Sequence, residues 1–431
     1  MMKGPKIRFK GFTGDWEQRK LGTIVDIQDG DRGKNYPTGS DFLSEGHTLF
    51  LNASNVTTDG FVFQENQFIS EEKSSSMGNG KLEADDIVIT SRGSLGHVAW
   101  YNADIAGKVP NVRINSGMLI LRNRKELDTP YLYQFMKSQK GQNQISFMSF
   151  GSAQPQLTKK DMGNLEVVFP KEKEEQLRIS TCLLQVDYLI TLHQRKCEQT
   201  KTLKKYMLQK MFPQNGEKVP EIRFVGFTDN WEQRKLGSVL ASLQNNTLSR
   251  AELTNGQGIA KNVHYGDVLV RFGDVLNVNK EHLPSITDEK IVDKYRTSFL
   301  KDGDVIVADT AEDETVGKCT EIAGLDEEIV ISGLHTIPYR PLVRFASGYL
   351  GYYMNSNAYH IQLLPLMQGI KVTSISKSAL QNTEIIFPKS LDEQRQIGKC
   401  FMYLDHLITF HQRKCDELQK IKKFMLQNMF V

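Results

Sequence analysis

His193-Gln194-Arg195-Lys196-Cys197 returns unchanged as His411-Gln412-Arg413-Lys414-Cys415, and each copy lies inside a long helical pattern. Around the first copy, Ile179, Leu183, Val186, Ile190, His193, Cys197 and Thr200 are spaced alternately by four and three residues. Around the second, Ile397, Phe401, Leu404, Ile408, His411, Cys415 and Leu418 repeat that spacing. This is the a/d seam of a coiled coil. Neither pattern is broken by Gly or Pro at its centre, so each predicts a helix of about 40 residues, roughly 60 Å long. A helix of that length cannot bury its stripe against itself. The economical solution is that the two copies pack on each other and carry the rest of the chain.

Outward from the helices the repetition continues. Pro5–Gly22 and Pro220–Gly237 are nearly identical, each running from Pro-x-Ile-Arg-Phe to Trp-Glu-Gln-Arg-Lys-Leu-Gly, displaced by 215 positions. Phe169-Pro170-Lys171 matches Phe387-Pro388-Lys389, now displaced by 218, and Lys204–Gln209 matches Lys422–Gln427. After Met211-Phe212 the chain enters the second Pro-x-Ile-Arg-Phe segment. After Met429-Phe430 the matching segment is the one at the N-terminus. The order of parts is therefore circular, as expected of a pseudo-two-fold object.

The middles have diverged but keep an outline. Leu82–Thr90 parallels Leu300–Ala308, an acidic turn leading into a buried strand. Helical segments are expected near Tyr131–Lys140 and Ser347–Ile361, and Thr158 and Ser376 have the setting of helix N-caps. Each middle reads as a mixed α/β domain. Identity held in blocks at the edges, with dissimilar middles, points to one scaffold carrying two different surfaces. The expected fold class is α+β: two mixed α/β domains joined by two long antiparallel coiled-coil helices, in a pseudo-two-fold tandem repeat.

A chain of 431 residues has room for two cores. No stretch approaches the roughly 18 continuous apolar residues of a membrane helix, and Met1–Phe12 lacks the apolar core of a signal peptide. The five cysteines form no Cys-x-x-Cys pair. They read as reduced thiols of a cytoplasmic protein, with no zinc or other metal site. The net charge of +3 is unevenly spread. Residues 170–212 carry 9 basic and 5 acidic side chains, whereas residues 23–168 carry 14 and 17, and residues 238–386 carry 13 and 18. Bulk charge alone would not grip nucleic acid here, so either a few placed cations act or a partner supplies the charge.

No catalytic constellation is visible. The chain has no Gly-x-x-x-x-Gly-Lys-Ser/Thr, no Gly-x-Ser-x-Gly, no His-Glu-x-x-His and no Asp/Asn-Pro-Pro-Tyr/Phe run. His193, His411, Cys197 and Cys415 fall on the helical seams and read as packed residues. Asp85-Asp86 and Asp302/Asp304 read as turn carboxylates. Lys204 and Lys205 complement a helix dipole. What remains is polar loop chemistry suited to base edges and phosphates. In the first middle the candidates are Lys34, Asn52, Ser54, Asn55 and the run Ser91, Arg92, Ser94, with Ser152 and Gln154 in a Gly-led loop. In the second they are Arg271, Thr310, Lys371 and Thr373. Arg92, flanked by Gly and Ser after a strand, has the reach of a bidentate guanine donor, and is equally readable as a surface arginine. Asn52, Ser54 and Asn55 suit adenine edges or an ordinary turn. The acidic run Asp309–Glu314 suits acceptance from cytosine or adenine amino groups or plain solvation, and solvation is the preferred reading.

Two divergent domains, each opened by Trp-x-x-x-x-Leu-Gly (Trp16–Gly22, Trp231–Gly237) and closed by Phe-Pro and a Glu-Gln-led helix (Glu175-Gln176, Glu393-Gln394), resemble the specificity (S) subunit of type I restriction–modification systems, which serve in bacterial defence. The resemblance covers the whole chain and rests on its circular, duplicated layout. It implies target-recognition domains at residues 1–168 and 213–386, with spacer helices at 169–212 and 387–431. Each domain would read one half of a split double-stranded DNA target, and the coiled coil would set the unspecified spacer. Two methyltransferase subunits would dock on the scaffold to methylate adenine, and restriction/translocase subunits would join them. S-adenosylmethionine and ATP/Mg would belong to those partners, leaving this chain without a cofactor and non-catalytic. Two alternatives stay open: a coiled-coil adaptor that binds only proteins, and a self-sufficient DNA methyltransferase or nuclease.

Overall fold

A computed structural model describes residues 4–148, 155–214 and 216–431. It divides into two compact units: unit 1 holds Met1–Gln194 together with Arg413–Val431, and unit 2 holds Arg195–Gln412. Both boundaries fall inside the repeated His-Gln-Arg-Lys-Cys pentapeptide. Each unit therefore owns one end of each long helix.

Those helices span Lys173–Lys210 and Leu391–Asn428, 38 residues apiece. Both begin with carboxylates in the first turn, where the helix dipole favours them (Glu174 and Glu175, Asp392 and Glu393). They run antiparallel. In unit 2, Cys197 Sγ lies 3.8 Å from Ile408 O and Lys204 Nζ donates to Asp405 at 2.5 Å; in unit 1, Lys422 Nζ lies 2.5 Å from Asp187.

The apolar stripe is divided between two tasks. Ile179 and Leu183 sink into the core of unit 1, and Ile397, Phe401 and Leu404 into that of unit 2, while Met425 and Leu426, or Met207 and Leu208, pack against the same cores from the other helix. Ile190, Cys197 and Cys415 are also buried. Val186, His193, Ile408 and His411 are half-buried.

The α/β parts share a plan that their sequences show only in outline. Unit 1 has a four-stranded antiparallel sheet in the order Val25–Asp29, Met118–Asn123, Asp86–Thr90, Val98–Tyr101. Unit 2 repeats it as Leu240–Ser242, Thr336–Pro341, Val305–Ala308, Cys319–Ala323, and adds Val275–Asn277 in parallel at the far edge. The central strands are buried along their whole length, which is why they read as unbroken apolar runs. Beside each sheet lies a three-stranded one of matching topology. In unit 1 it is Phe68–Ile69, Thr48–Phe50, Val112–Arg113, and in unit 2 Ser285–Ile286, Ala260–Val263, Val330–Ser332.

The near-identical edges turn out to be the joints of this plan. Trp16–Lys20 pairs antiparallel with Glu166–Pro170, and Glu232–Lys235 with Glu384–Phe387. Arg8 makes a two-pronged bond to Glu175 at 2.6 and 2.8 Å, and Arg223 makes the same bond to Glu393 at 2.7 and 2.9 Å. The neighbouring glutamines each close the strand onto the helix start, Gln176 donating to Pro170 O and Gln394 to Pro388 O. Circularity is literal. Ile222 N donates to Lys210 O in unit 2, and Ile7 N donates to Asn428 O in unit 1. Phe212 packs among Trp231, Tyr349 and Tyr353, and Phe430 between Tyr131 and Phe135.

Among the described residues no helix is long and apolar enough to cross a membrane.

Candidate nucleic-acid interface

In both units one backbone frame gathers the loops at the end of the central strand. In unit 1, Ser91 N donates to Gly117 O at 2.7 Å and Leu157 N donates to Ser91 O at 3.0 Å. In unit 2 the equivalent bonds are Asp309 N to His335 O at 3.1 Å and Ile375 N to Asp309 O at 2.8 Å. The strand end, the loop before the next strand and the segment entering a short helix therefore meet at one place. Thr158 and Ser376 cap those short helices, Lys159–Asn164 and Lys377–Asn382, by accepting backbone N–H bonds from Asp161 and Ala379.

The side chains on this shared frame differ in kind. In unit 1, Arg92 is exposed and its guanidinium donates to Gln156 Oε1 at 2.9 Å. Arg32 joins the same group of loops by donating to Ser116 O at 3.2 Å, with exposed Lys34 two residues on. That loop is held by Asp31, which accepts the N–H groups of Gly33 and Gly78; these bonds keep its carboxyl below the ordinary range. Ser94 is exposed and accepts the Thr90 hydroxyl through its carbonyl, and Ser91 is buried. Ser152 and Gln154 lie outside the described residues.

Unit 2 presents acceptors and rings instead. Thr310 donates to Asp309 Oδ1 at 2.7 Å, His335 Nδ1 lies 3.4 Å from the same oxygen, and Tyr265 meets the His335 ring edge-on at 5.2 Å. His335 holds φ +54°, uncommon for a residue with a side chain. Beside it, burial and then Arg250 push the His264 imidazole below its ordinary pKa, and its Nδ1 accepts the Gly266 N–H. Thr310 and Ala311 ladder onto Ser374 and Thr373, which brings Thr310, Thr373 and the neighbouring Lys371 together.

Other candidates lie apart from this frame. Asn52 accepts Ser54 N at 2.8 Å as a cap. Asn55 is fully buried, its amide donating to Val62 O and Glu65 O while its carbonyl accepts Asn52 N. These polar groups close a loop on itself. Arg271 follows the short helix Tyr265–Val270 at the end away from His335 and donates to His282 O at 2.6 Å.

Sequence reading missed Gln156, His335 and Tyr265. It also undervalued Lys204, which is more than a dipole partner. Burial opposes its charge, but Asp274 at 2.7 Å and Asp405 at 2.5 Å raise its pKa on balance, and Tyr352 donates to Asp405 at 2.7 Å. Asp187 repeats that centre in unit 1, with Lys422 on one side and Gln134 on the other. The turn reading of the strand-entry carboxylates holds. Asp86 and Asp304 accept the N–H groups of Glu83 and Lys301, and each also takes a two-pronged bond from an arginine, Arg122 and Arg340.

Two α/β units on one frame, with unlike loop chemistry and two helices held in common, define a tandem reader: a scaffold that presents two different recognition surfaces. Residues 13–202 and 228–420 each match the model of the type I restriction modification DNA specificity domain, and the chain belongs to that family. Membership makes it a component for DNA recognition, not catalysis. A curated relative, the type I restriction enzyme MjaVIII specificity subunit of Methanocaldococcus jannaschii, is 24% identical over 327 residues, 72% of this chain and 71% of that one. The crystal structure of a type I restriction-modification system S subunit from M. genitalium aligns with TM-score 0.61 at 14% identity, over 100% of this chain and 99% of its own. A chain from work on complex assembly and conformational transition of the type I R-M system aligns with TM-score 0.51 at 18% identity, over 95% of this chain and 96% of its own. These two likenesses bear on the fold.

Proposed function

We propose that units 1 and 2 each read one half of a split double-stranded DNA sequence through the loops gathered at the end of their central strands, and that the helix pair sets the spacer between the halves. The observation that carries this reading is one backbone frame bearing opposite chemistries. Arg92, Gln156 and Lys34 offer donors suited to guanine O6/N7 and phosphate, whereas Asp309, Thr310 and His335 offer a hydroxyl and acceptors suited to exocyclic amino groups.

Partners are expected in duplicate. Leu203 and Tyr206 on the first long helix, and Ile421 and Phe424 at the same repeat positions on the second, are exposed apolar pairs three residues apart. They supply two equivalent docking stripes, one for each of two methyltransferase subunits, with restriction/translocase subunits joining that assembly in the cytoplasm. S-adenosylmethionine and ATP/Mg would be bound by those partners; this chain would position them.

The test is the methylome of the host with this gene intact and deleted. Loss of methylation at one split motif is the expected result. An unchanged methylome, with an active methyltransferase partner expressed, would favour the protein-binding adaptor instead. Replacing Arg92 by Ala within the assembled complex should relax selectivity in one half-site only, at a cost of about 1–3 kcal/mol.

A further inference from the structure

Next to Thr310 in unit 2 stands a tight projection. Gln368 and Ser374 exchange both backbone hydrogen bonds, at 2.9 and 2.8 Å, and close the turn between them. Gly369 takes φ +118°, and a Cβ there would fall 2.0 Å from Val372 O, so a side chain has no room. Thr373 and Ser374 are laddered to Ala311 and Thr310, which ties the base of the turn to the reading frame. The tip is thus fixed at its base and narrowed by its own backbone.

It carries Ile370, fully exposed, and Val372, more than half exposed, with exposed Lys371 between them. Single exposed apolar residues are common on any surface. Here two β-branched side chains stand on one constrained turn, joined by the ladder to Thr310 and Ala311. The adjoining segment holds Asp309, Glu312, Asp313 and Glu314. Broad attraction to phosphate is therefore not this surface's means of contact. The major groove admits a two-stranded β-ribbon, and its apolar feature is the thymine 5-methyl group.

We propose that Ile370 and Val372 read thymine methyl groups in the major groove, with Lys371 set against a phosphate. This rests on the DNA-reading function above and assigns the specificity-determining contact of unit 2.

The experiment uses the full chain assembled with its methyltransferase subunits and a duplex bearing the split motif found in the methylome. Each thymine, on either strand, is replaced in turn by deoxyuridine, which removes only the methyl group. At one or two positions of one half-site the wild-type complex should bind about fourfold more weakly, the worth of one buried methyl-sized group. Ile370→Ala should weaken binding to the unmodified duplex by a similar factor and be indifferent to that same replacement. Val372→Ala serves as a second variant; both positions are exposed, so the fold should tolerate either change. Ile370→Ala and Val372→Ala that bind as the wild type does, or that keep the wild type's full sensitivity to every replacement, would overturn the methyl contact while leaving the split-target reading intact. A target without thymine in one half-site would leave only the other to test, and insensitivity there would overturn it equally. A complex that recognises no split sequence would instead sink the function on which the proposal rests.

Discussion

Arg8 and Arg223 show what an unchanged residue in a diverged repeat is for. Each neutralises a carboxylate, Glu175 or Glu393, that is wholly buried at the start of a long helix. Removing the arginine strands that charge. Arg8→Ala should destabilise unit 1, and Arg223→Ala unit 2, by about 3 kcal/mol, at the low end for a broken buried pair because both arginines keep some solvent contact. Two-transition chemical denaturation of the full chain would show which unit each variant loosens. Another buried carboxylate, Glu321, faces the N–H groups of Gly348 and Gly351, yet burial pushes its pKa up to about 7. In the unfolded chain it titrates near 4.5. Between these values the folded form keeps a proton that the unfolded form has lost. The stabilisation is therefore full below about 4.5 and lost as pH rises through about 7, amounting to about 3 kcal/mol. Following Trp231 emission during denaturation at pH 5 and pH 8, in a chain with Trp16 and Trp100 replaced by Phe, should show this decline, and Glu321→Gln should flatten it. The identity of such residues was legible wherever both repeats spelled the same motif. Their partners were not, because Glu175 and Arg8 are far apart along the chain and nothing local joins them. Asn52 and Asn55 left two readings open for a different reason: an amide can satisfy its own loop as readily as a base edge.

At the level of elements, both helices were plain in the sequence, since four-three spacing over this length has few other meanings. The strands of the diverged middles were less so. Several span two or three residues, too short for an alternation to declare itself, and their shared topology emerges only from register. The seam residues also do more than pair helix with helix, since the first turns of each stripe enter the α/β core of their own unit. Phe430, just past the end of the other helix, completes that of unit 1. Phe430→Ala should cost about 3–5 kcal/mol, the usual loss for an aromatic side chain removed from a core. Hydrogen exchange should place the loosening over residues 129–137 and 166–170, and leave residues 349–355 unchanged. An equal effect on residues 349–355 would contradict the division of the chain into units.

For the whole molecule, the proposed spacer rule is open to direct change. Four residues inserted at the centre of each long helix add about one turn, about 5.4 Å of length. The recognised spacer should grow by about two base pairs at roughly 3.4 Å per step, with both half-sites unaltered. Methylome sequencing reads this outcome, and an unchanged spacer would end the ruler idea. The layout itself was legible because duplication left matching blocks at both edges. The reading surface was legible only as loops, since the frame that assembles them is made of backbone bonds, which any residue can supply.

The division of the chain also fixes an order of assembly during synthesis. Unit 2 is one continuous segment, whereas unit 1 draws on residues 413–431. A ribosome that has released residue 412 has delivered everything unit 2 needs, while residues 1–194 of unit 1 still wait for Met429 and Phe430 to fill their core. Domains usually fold in the order they emerge; here the first to appear is the last to close. A chain truncated after residue 412 and freed from the ribosome should hold a protease-resistant second unit and an open first one. That interval makes unit 1 the client a chaperone would meet.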